Sequence, residues 1–530
     1  MQNLVILLLV LNATLAWSQP TITEDASVDA AQTITVDDLR RRLTYFASDE
    51  MEGRELGTEA NHRAARYLAD ELQKMGIQPY APGKGYFQSI PFYGTDWTDL
   101  HLEVDGTSYQ NLVDYYSFIR LNSPLPRLED NEVVFLGYGI EDPKYSDYKK
   151  AHVKDKIIVI LSGEPVDAQG NSRITGTKEQ SAWSKAILRK LTLAKNKGVK
   201  AVLIVDEAIT KDIADNSRQL RSNALKMGEP ENPDLNSEYA NHLYISPAIF
   251  EKLIGNQSAQ VAKARKRIDD AGKFKPVALK TKITLAQNFA EKEYPFENVL
   301  GYIEGSDPKL KDELVIVSAH FDHIGRNGDV IFNGADDNGS GSCTVLEIAE
   351  AFHAAQLAGH GPRRSVLCLW VTGEEKGLLG SRYYTEHPVF PLENTVADVN
   401  IDMVGRVDAK YKDNPDYIYV IGSDRLSTAL HQINEDANAK YTQLTLDYTY
   451  NADDDPNRFY YRSDHYNFAR KGIPAIFFFN GTHPDYHRPG DTVDKINFVK
   501  MQKVATLIFH TAWELANRDQ RIQVDVQGRN

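Results

Sequence analysis

The sequence predicts an α/β protein: a mostly parallel open sheet flanked by helices, with a smaller α/β domain inserted into it. Three observations carry this. Short apolar runs at 315–317, 365–371, 396–401 and 473–479 read as buried strands. Between them lie segments with apolar residues at helical spacing, such as Val345, Ile348, Ala349 and Phe352. Strands alternating with helices imply a sheet covered on both faces. Finally, His, Asp and Glu residues stand directly after these strands, where open α/β sheets gather their sites.

Length and composition set the outer limits. At 530 residues and 42% hydrophobic content the chain can build two or three domains with sizeable cores. Its formal charge of −14, from 60 basic and 74 acidic side chains, argues against nucleic-acid binding, which needs a basic face. The first 19 residues hold an apolar core at 4–11 followed by small and polar residues, the pattern of a signal peptide cut near Gln19. No Lys or Arg precedes that core. It is short for a bilayer span and no other stretch approaches spanning length, so stable membrane insertion is not expected. The expected location is exported, periplasmic or extracellular. Cys343 and Cys368 read as buried thiols, which leaves His, Asp and Glu to hold any metal.

The elements follow in order. Thr35-Val36-Asp37-Asp38 is a capping box for the helix LRRRLTYFASD. The loop EGRELGT leads to a second helix near 59–75, with Ala64, Leu68, Leu72 and Met75 on one face. An alternating, strand-rich pattern runs to about residue 125. From 126 to 287 the character changes: strands VVFLGYGI, KIIVILSG and AVLIVD flank one helix over 183–198, and no ligand cluster occurs. This is the inserted domain. It separates 35–125 from 288–517, which together make the main domain. The latter part adds a strand at 417–421, a helix near 425–437 and a closing helix over 497–516.

The strand-end residues are, in chain order, His320, Asp337, Glu374 with Glu375, Asp402 and His487. Two imidazoles and three carboxylates suit Zn2+, with Mn2+ or Co2+ as alternatives. Five ligands exceed the need of one catalytic zinc. They fit two ions about 3.5–4 Å apart that share a bridging carboxylate. Taken singly each signal is bland: an acidic pair is usually a solvated surface, and Asp before Asn-Gly is usually a turn. Their joint placement after successive strands is what points to a metal centre.

The segments AHFDH, NGADDNGSG, TGEEKGLLGS, NIDMVGR and YHRPGDT stand in the order found in a known family. The chain resembles the secreted co-catalytic zinc peptidases, which include bacterial leucyl aminopeptidases and glutamate carboxypeptidase-like enzymes. The inserted stretch is similar to a protease-associated domain. The resemblance implies that His320 and Asp402 serve one Zn2+, that Glu375 and His487 serve the other, and that Asp337 bridges them. It also implies that Glu374 is the general base, that Asp322 orients the imidazole of His320, and that the Asp337–Asn338 peptide is cis.

The physics is compatible with those roles. Water between two divalent ions is acidified, and Glu374 can take its proton and pass it to a leaving amine. An irregular loop lets Glu374 and Glu375 point at different partners. The implied substrates are peptides, cleaved from the amino end. A carboxypeptidase or dipeptidase on the same fold, a glutaminyl cyclase, and a binding relative without chemistry are the alternatives. Arg406 and Arg488 are the arginines near enough in sequence to clamp a terminal carboxylate, though each has acidic neighbours to pair with. His323, His465 and His483 are surplus to the ligand count, and Asp336 reads as structural. Tyr460 or Tyr461 is a candidate oxyanion donor. There is no HExxH helix and no G-x-S-x-G elbow. Side-chain preference and oligomeric state are not legible.

Overall fold

The computed structural model describes residues 24–81, 83–216, 220, 225–228 and 238–526. The expected leader at 1–19 lies outside them. Helix α1, Val36–Phe46, begins where the Thr35 hydroxyl accepts from the Asp38 amide, as the capping box predicts, and buries Leu39, Leu43 and Phe46. Helix α2, Glu59–Met75, stops at Gly76, whose left-handed cap conformation (φ 85°) suits a residue without Cβ.

Eight strands make up most of the large sheet: β1 Phe87–Val104, β2 Ile283–Ile303, β3 Leu314–His320, β4 Ser365–Val371, β5 Thr395–Ile401, β6 Tyr417–Ile421, β7 Thr445–Asp447 and β8 Ala475–Phe479. Their spatial order is β1-β2-β4-β3-β5-β8-β6-β7. The central strands β4, β3, β5 and β8 run parallel, as expected for fully buried apolar runs. The flanks make the sheet mixed: β1 and β2 form a long antiparallel ribbon, β2 meets β4 antiparallel, and β6 meets β8 the same way. Successive residues of β3 point to opposite faces. Val315 and Val317 join a core with Phe352 and Phe509, while Ile316 joins one with Leu367 and Phe477. Helices α3, Gly341–Leu357, and α4, Phe498–Asn517, supply Phe352 and Phe509 to the first of these.

A second, six-stranded sheet takes Tyr115–Tyr116, Val133–Phe135, Ile157–Leu161, Ala201–Val205, His242–Ile245 and Val277–Leu279, with its own buried clusters. The β1–β2 ribbon joins the two bodies: Val299 and Ile303 pack in the large core, whereas Leu102, Val104, Ile283 and Leu285 pack in the small one. The single helix expected over 183–198 is two, Ala182–Lys185 and Ile187–Asn196, because Ala186 leaves helical geometry (φ −127°, ψ 88°). Cys343 and Cys368 are free and buried. Among the described residues no helix is long and apolar enough to cross a membrane.

Candidate metal centre

Three central strands deliver three ligand candidates at one edge of the sheet. β3 ends on His320, β5 is followed at once by Asp402, and β4 leads through Thr372-Gly373 to Glu374 and Glu375. The two glutamates sit on one 3-10 turn entered through Gly373, which holds the left-handed region (φ 71°). The tight turn sends them apart. Glu374 Oε2 lies 3.9 Å from His320 Nε2, whereas Glu375 Oε2 lies 3.2 Å from His487 Nε2.

Asp337 stands between these groups. Its Oδ1 is 3.5 Å from His320 Nε2 and its Oδ2 is 3.0 Å from His487 Nε2. Asp402 Oδ1 completes the first side at 3.3 Å from His320 Nε2. All five ligand candidates from the sequence therefore converge, with Asp337 facing both imidazoles. The loop that carries it is pinned through its neighbours. Asn338 donates to the Ile401 carbonyl and accepts from the Gly341 and Met403 amides. Gly341 is required here, since a Cβ would fall 2.2 Å from Asn338 Oδ1 and 2.5 Å from the Ile401 carbonyl. Asp491 accepts from the Asp336 and Asp337 amides. The Asp337–Asn338 peptide is cis, as the resemblance implies.

The residues fit a divalent cation. His320 Nε2 and Asp402 Oδ1 are buried without any hydrogen-bond partner, and ligand atoms of His320, Glu374 and Asp402 lie within 4.8 Å of one another, as do those of His323, Asp337 and Glu375. Buried polar atoms of this kind are costly unless something binds them, and His with carboxylates is a zinc donor set. Burial also pushes the Glu374 carboxyl well above the usual carboxylate range.

Surrounding groups hold the ligands in place. Ser463 Oγ donates to Asp402 Oδ2 at 2.8 Å and itself receives Asn400 Nδ2, which leaves Oδ1 for the centre. Asp322 stands beside His320 through both its carbonyl and its carboxylate. The His320 ring sits 3.1 Å from the Asp322 backbone carbonyl, while the carboxylate is 3.8 Å away and accepts instead from the Glu374 amide at 3.1 Å. The short step from His320 to Asp322 brings the carbonyl to the ring first. Asp322 thus links the His320 strand end to the glutamate turn.

Several surplus residues are resolved by their contacts. His323 is fully buried with Nδ1 2.8 Å from Glu375 Oε1, so it supports a ligand candidate that sequence reasoning had left without one. His483 lies 3.3 Å from Asp336 Oδ2, and Asp336 caps the Gly405 amide, a structural role. His465 is buried against Tyr460 and Phe477. Tyr460 is 3% exposed beneath Arg425, turned to the core, and Tyr461 packs on Tyr466. Arg406 is engaged by Asp485 at 2.9 Å and Asp491 at 3.7 Å, and Arg488 is exposed.

The pocket above the carboxylates is lined by Asp337, Glu374, Asp402, Met403, Phe459, Arg462, Phe477, Phe479 and Tyr486. Arg462 and Tyr486 were missed in the sequence. The available signal was adjacency: Arg462 precedes Ser463, and Tyr486 precedes His487 and stacks on its ring at 4.0 Å. Arg54 was also missed. This wholly buried guanidinium donates to the carbonyls of Phe46, Phe321, Asn333 and Gly334 at 2.8–2.9 Å.

A probable leucine aminopeptidase of Arthroderma otae is 34% identical over 218 residues, which is 39% of this chain and 56% of that protein. Aminopeptidase YwaD of Bacillus subtilis is 26% identical over 232 residues, 42% of this chain and 46% of that one. The chain therefore spans about half the length of these relatives. Among solved structures, an aminopeptidase from Aneurinibacillus sp. strain AM-1 aligns over 95% of this chain and 98% of its own, at 18% identity and a TM-score of 0.46. Residues 298–512, which contain every ligand candidate named above, match the model of Peptidase family M28.

Proposed function

We propose that this protein is an exported di-zinc aminopeptidase that removes apolar residues from the amino ends of peptides. The observation that carries the reading is the placement of Asp337, one oxygen toward His320 and the other toward His487. His320 with Asp402 would hold one ion and Glu375 with His487 the other. When bound, the ions supply an acidified water and a polarised scissile carbonyl.

The chain's own residues do the rest. Glu374 is the proton carrier: its Oε2 lies beside the ligand cluster but belongs to the pocket wall, where a carboxylate can accept a proton from water and release it to a leaving amine. Asp402 and Glu374 give an α-amino group favourable neighbours. Met403, Phe459, Phe477 and Phe479 form an apolar wall for the first side chain. Arg406, bound to Asp485, is not free to hold a substrate's terminal carboxylate, which disfavours carboxypeptidase action through that residue. Export rests on the N-terminal leader pattern. The six-stranded body is read as a protease-associated-like insert without a share in the chemistry.

Metal titration tests the core of this reading. Protein stripped with chelator and dialysed is expected to bind two Zn2+ per chain and to recover hydrolysis of a free-amine leucyl substrate as the second ion loads. Saturation with full activity at one ion per chain would overturn the di-zinc assignment.

A further inference from the structure

Among the described residues, Arg462 is the one guanidinium that lines the pocket shared by Asp337, Glu374 and Asp402. Its Cζ stands 4.8 Å over the Phe459 ring, and its Nη2 donates to the Tyr486 hydroxyl at 3.3 Å. No described carboxylate pairs with it, in contrast to Arg406, which has Asp485 and Asp491. An unpaired cation held over a ring at the mouth of a carboxylate-rich pocket is placed to receive an anion from outside.

We propose that Arg462 docks the free terminal carboxylate of a dipeptide, so that the enzyme favours dipeptides over amidated ones. This rests on the aminopeptidase reading above. The length of the chain decides which carboxylate can be reached. Successive residues are about 3.8 Å apart, so the carboxylate of a dipeptide lies within one residue of the scissile carbonyl and within reach of a donor beside the ligand cluster. There it would meet Asp337, Glu374 and Asp402, and the pocket needs a compensating donor. Arg462 supplies a fork that matches a carboxylate, with the Tyr486 hydroxyl beside it. Contact with Phe459 restricts the side chain before substrate arrives, which lowers the ordering cost of binding. In a longer peptide the carboxylate lies at least ~7 Å from the reacting carbonyl and passes beyond this donor.

The test compares leucylglycine, leucylglycinamide and N-acetylleucylglycine on the zinc-loaded full chain. Leucylglycine should exceed its amide in kcat/KM by about tenfold, mainly through a lower KM, as expected for one charge-assisted contact. Arg462→Gln should bring that ratio close to one, and Arg462→Lys, which keeps the charge but loses the fork, should retain part of it. Arg462 is exposed, so neither variant disturbs the core. Cleavage of both free-amine substrates at equal kcat/KM, or a ratio unchanged in Arg462→Gln, overturns this assignment and leaves the aminopeptidase reading standing. Cleavage of the acetylated dipeptide alone overturns the amino-end reading and this assignment with it.

Discussion

Glu374→Gln is expected to lower kcat by about 10²–10⁴-fold or more while bound zinc stays near the wild-type level. The amide keeps the shape and the hydrogen-bonding reach of the carboxylate but cannot carry the proton. The Glu374 backbone stays tied to Asp322 Oδ1 through its amide, so the turn should hold its geometry. Glu375→Gln tests the other half of the pair. Glu375 reaches His323 at 2.8 Å and His487 at 3.2 Å, and its loss should weaken metal binding first and activity as a consequence. Metal content by elemental analysis, measured beside kcat on the same preparations, separates the two. Equal loss of zinc in both variants would show that the two glutamates have not been assigned correctly.

The sequence was informative where a short strand hands its last residue to a loop. β3, β4 and β5 are apolar runs whose ends need no tertiary knowledge to locate; β3 ends on His320, and β4 and β5 are followed within a few residues by Glu374 and Asp402. The antiparallel flanks were harder to see. β1 alternates buried residues with more open ones at both ends, whereas β2 is buried at its two ends and open in the middle, and nothing local says that they pair with each other rather than continue the parallel order. The part of the site that escaped notice is made of contacts between remote segments. Arg462 and Tyr486 meet across a separation that only the fold closes, and the Asp322 carboxylate finds the Glu374 amide rather than the neighbouring imidazole. Residue type singled out the ligand candidates that the fold brings together because metal chemistry restricts the choice to few side chains. Support through backbone carbonyls carries no such restriction, and Arg54 is the main example.

Arg54→Met is expected to destabilise the fold by several kcal/mol and to weaken zinc binding, although the hydrogen bonds of Arg54 go to backbone carbonyls. The guanidinium lies 0% exposed and spends its donors on four carbonyls. Phe321 stands between His320 and Asp322, Asn333 and Gly334 lead into Asp336-Asp337, and Phe46 closes α1. One side chain from the N-terminal region therefore fastens both ligand loops to the end of α1. Burial pushes its pKa down to about 10, which leaves it charged at neutral pH, and the carboxylates of Asp337, Asp491 and Asp322 favour that charge. Methionine would fill the volume but strand the carbonyls, at roughly 1–3 kcal/mol for each one left without a partner. It would also remove a buried positive charge near a carboxylate cluster. Arg54→Lys retains the charge and can satisfy fewer of the four acceptors, so its loss should be smaller. Thermal unfolding of the metal-free variants, with zinc affinity measured by chelator competition, checks both effects. If Arg54→Met melted with the wild type and held zinc as tightly, the contacts of Asn333, Asn338 and Asp491 would suffice to fix the loops, and the fastening role would be lost.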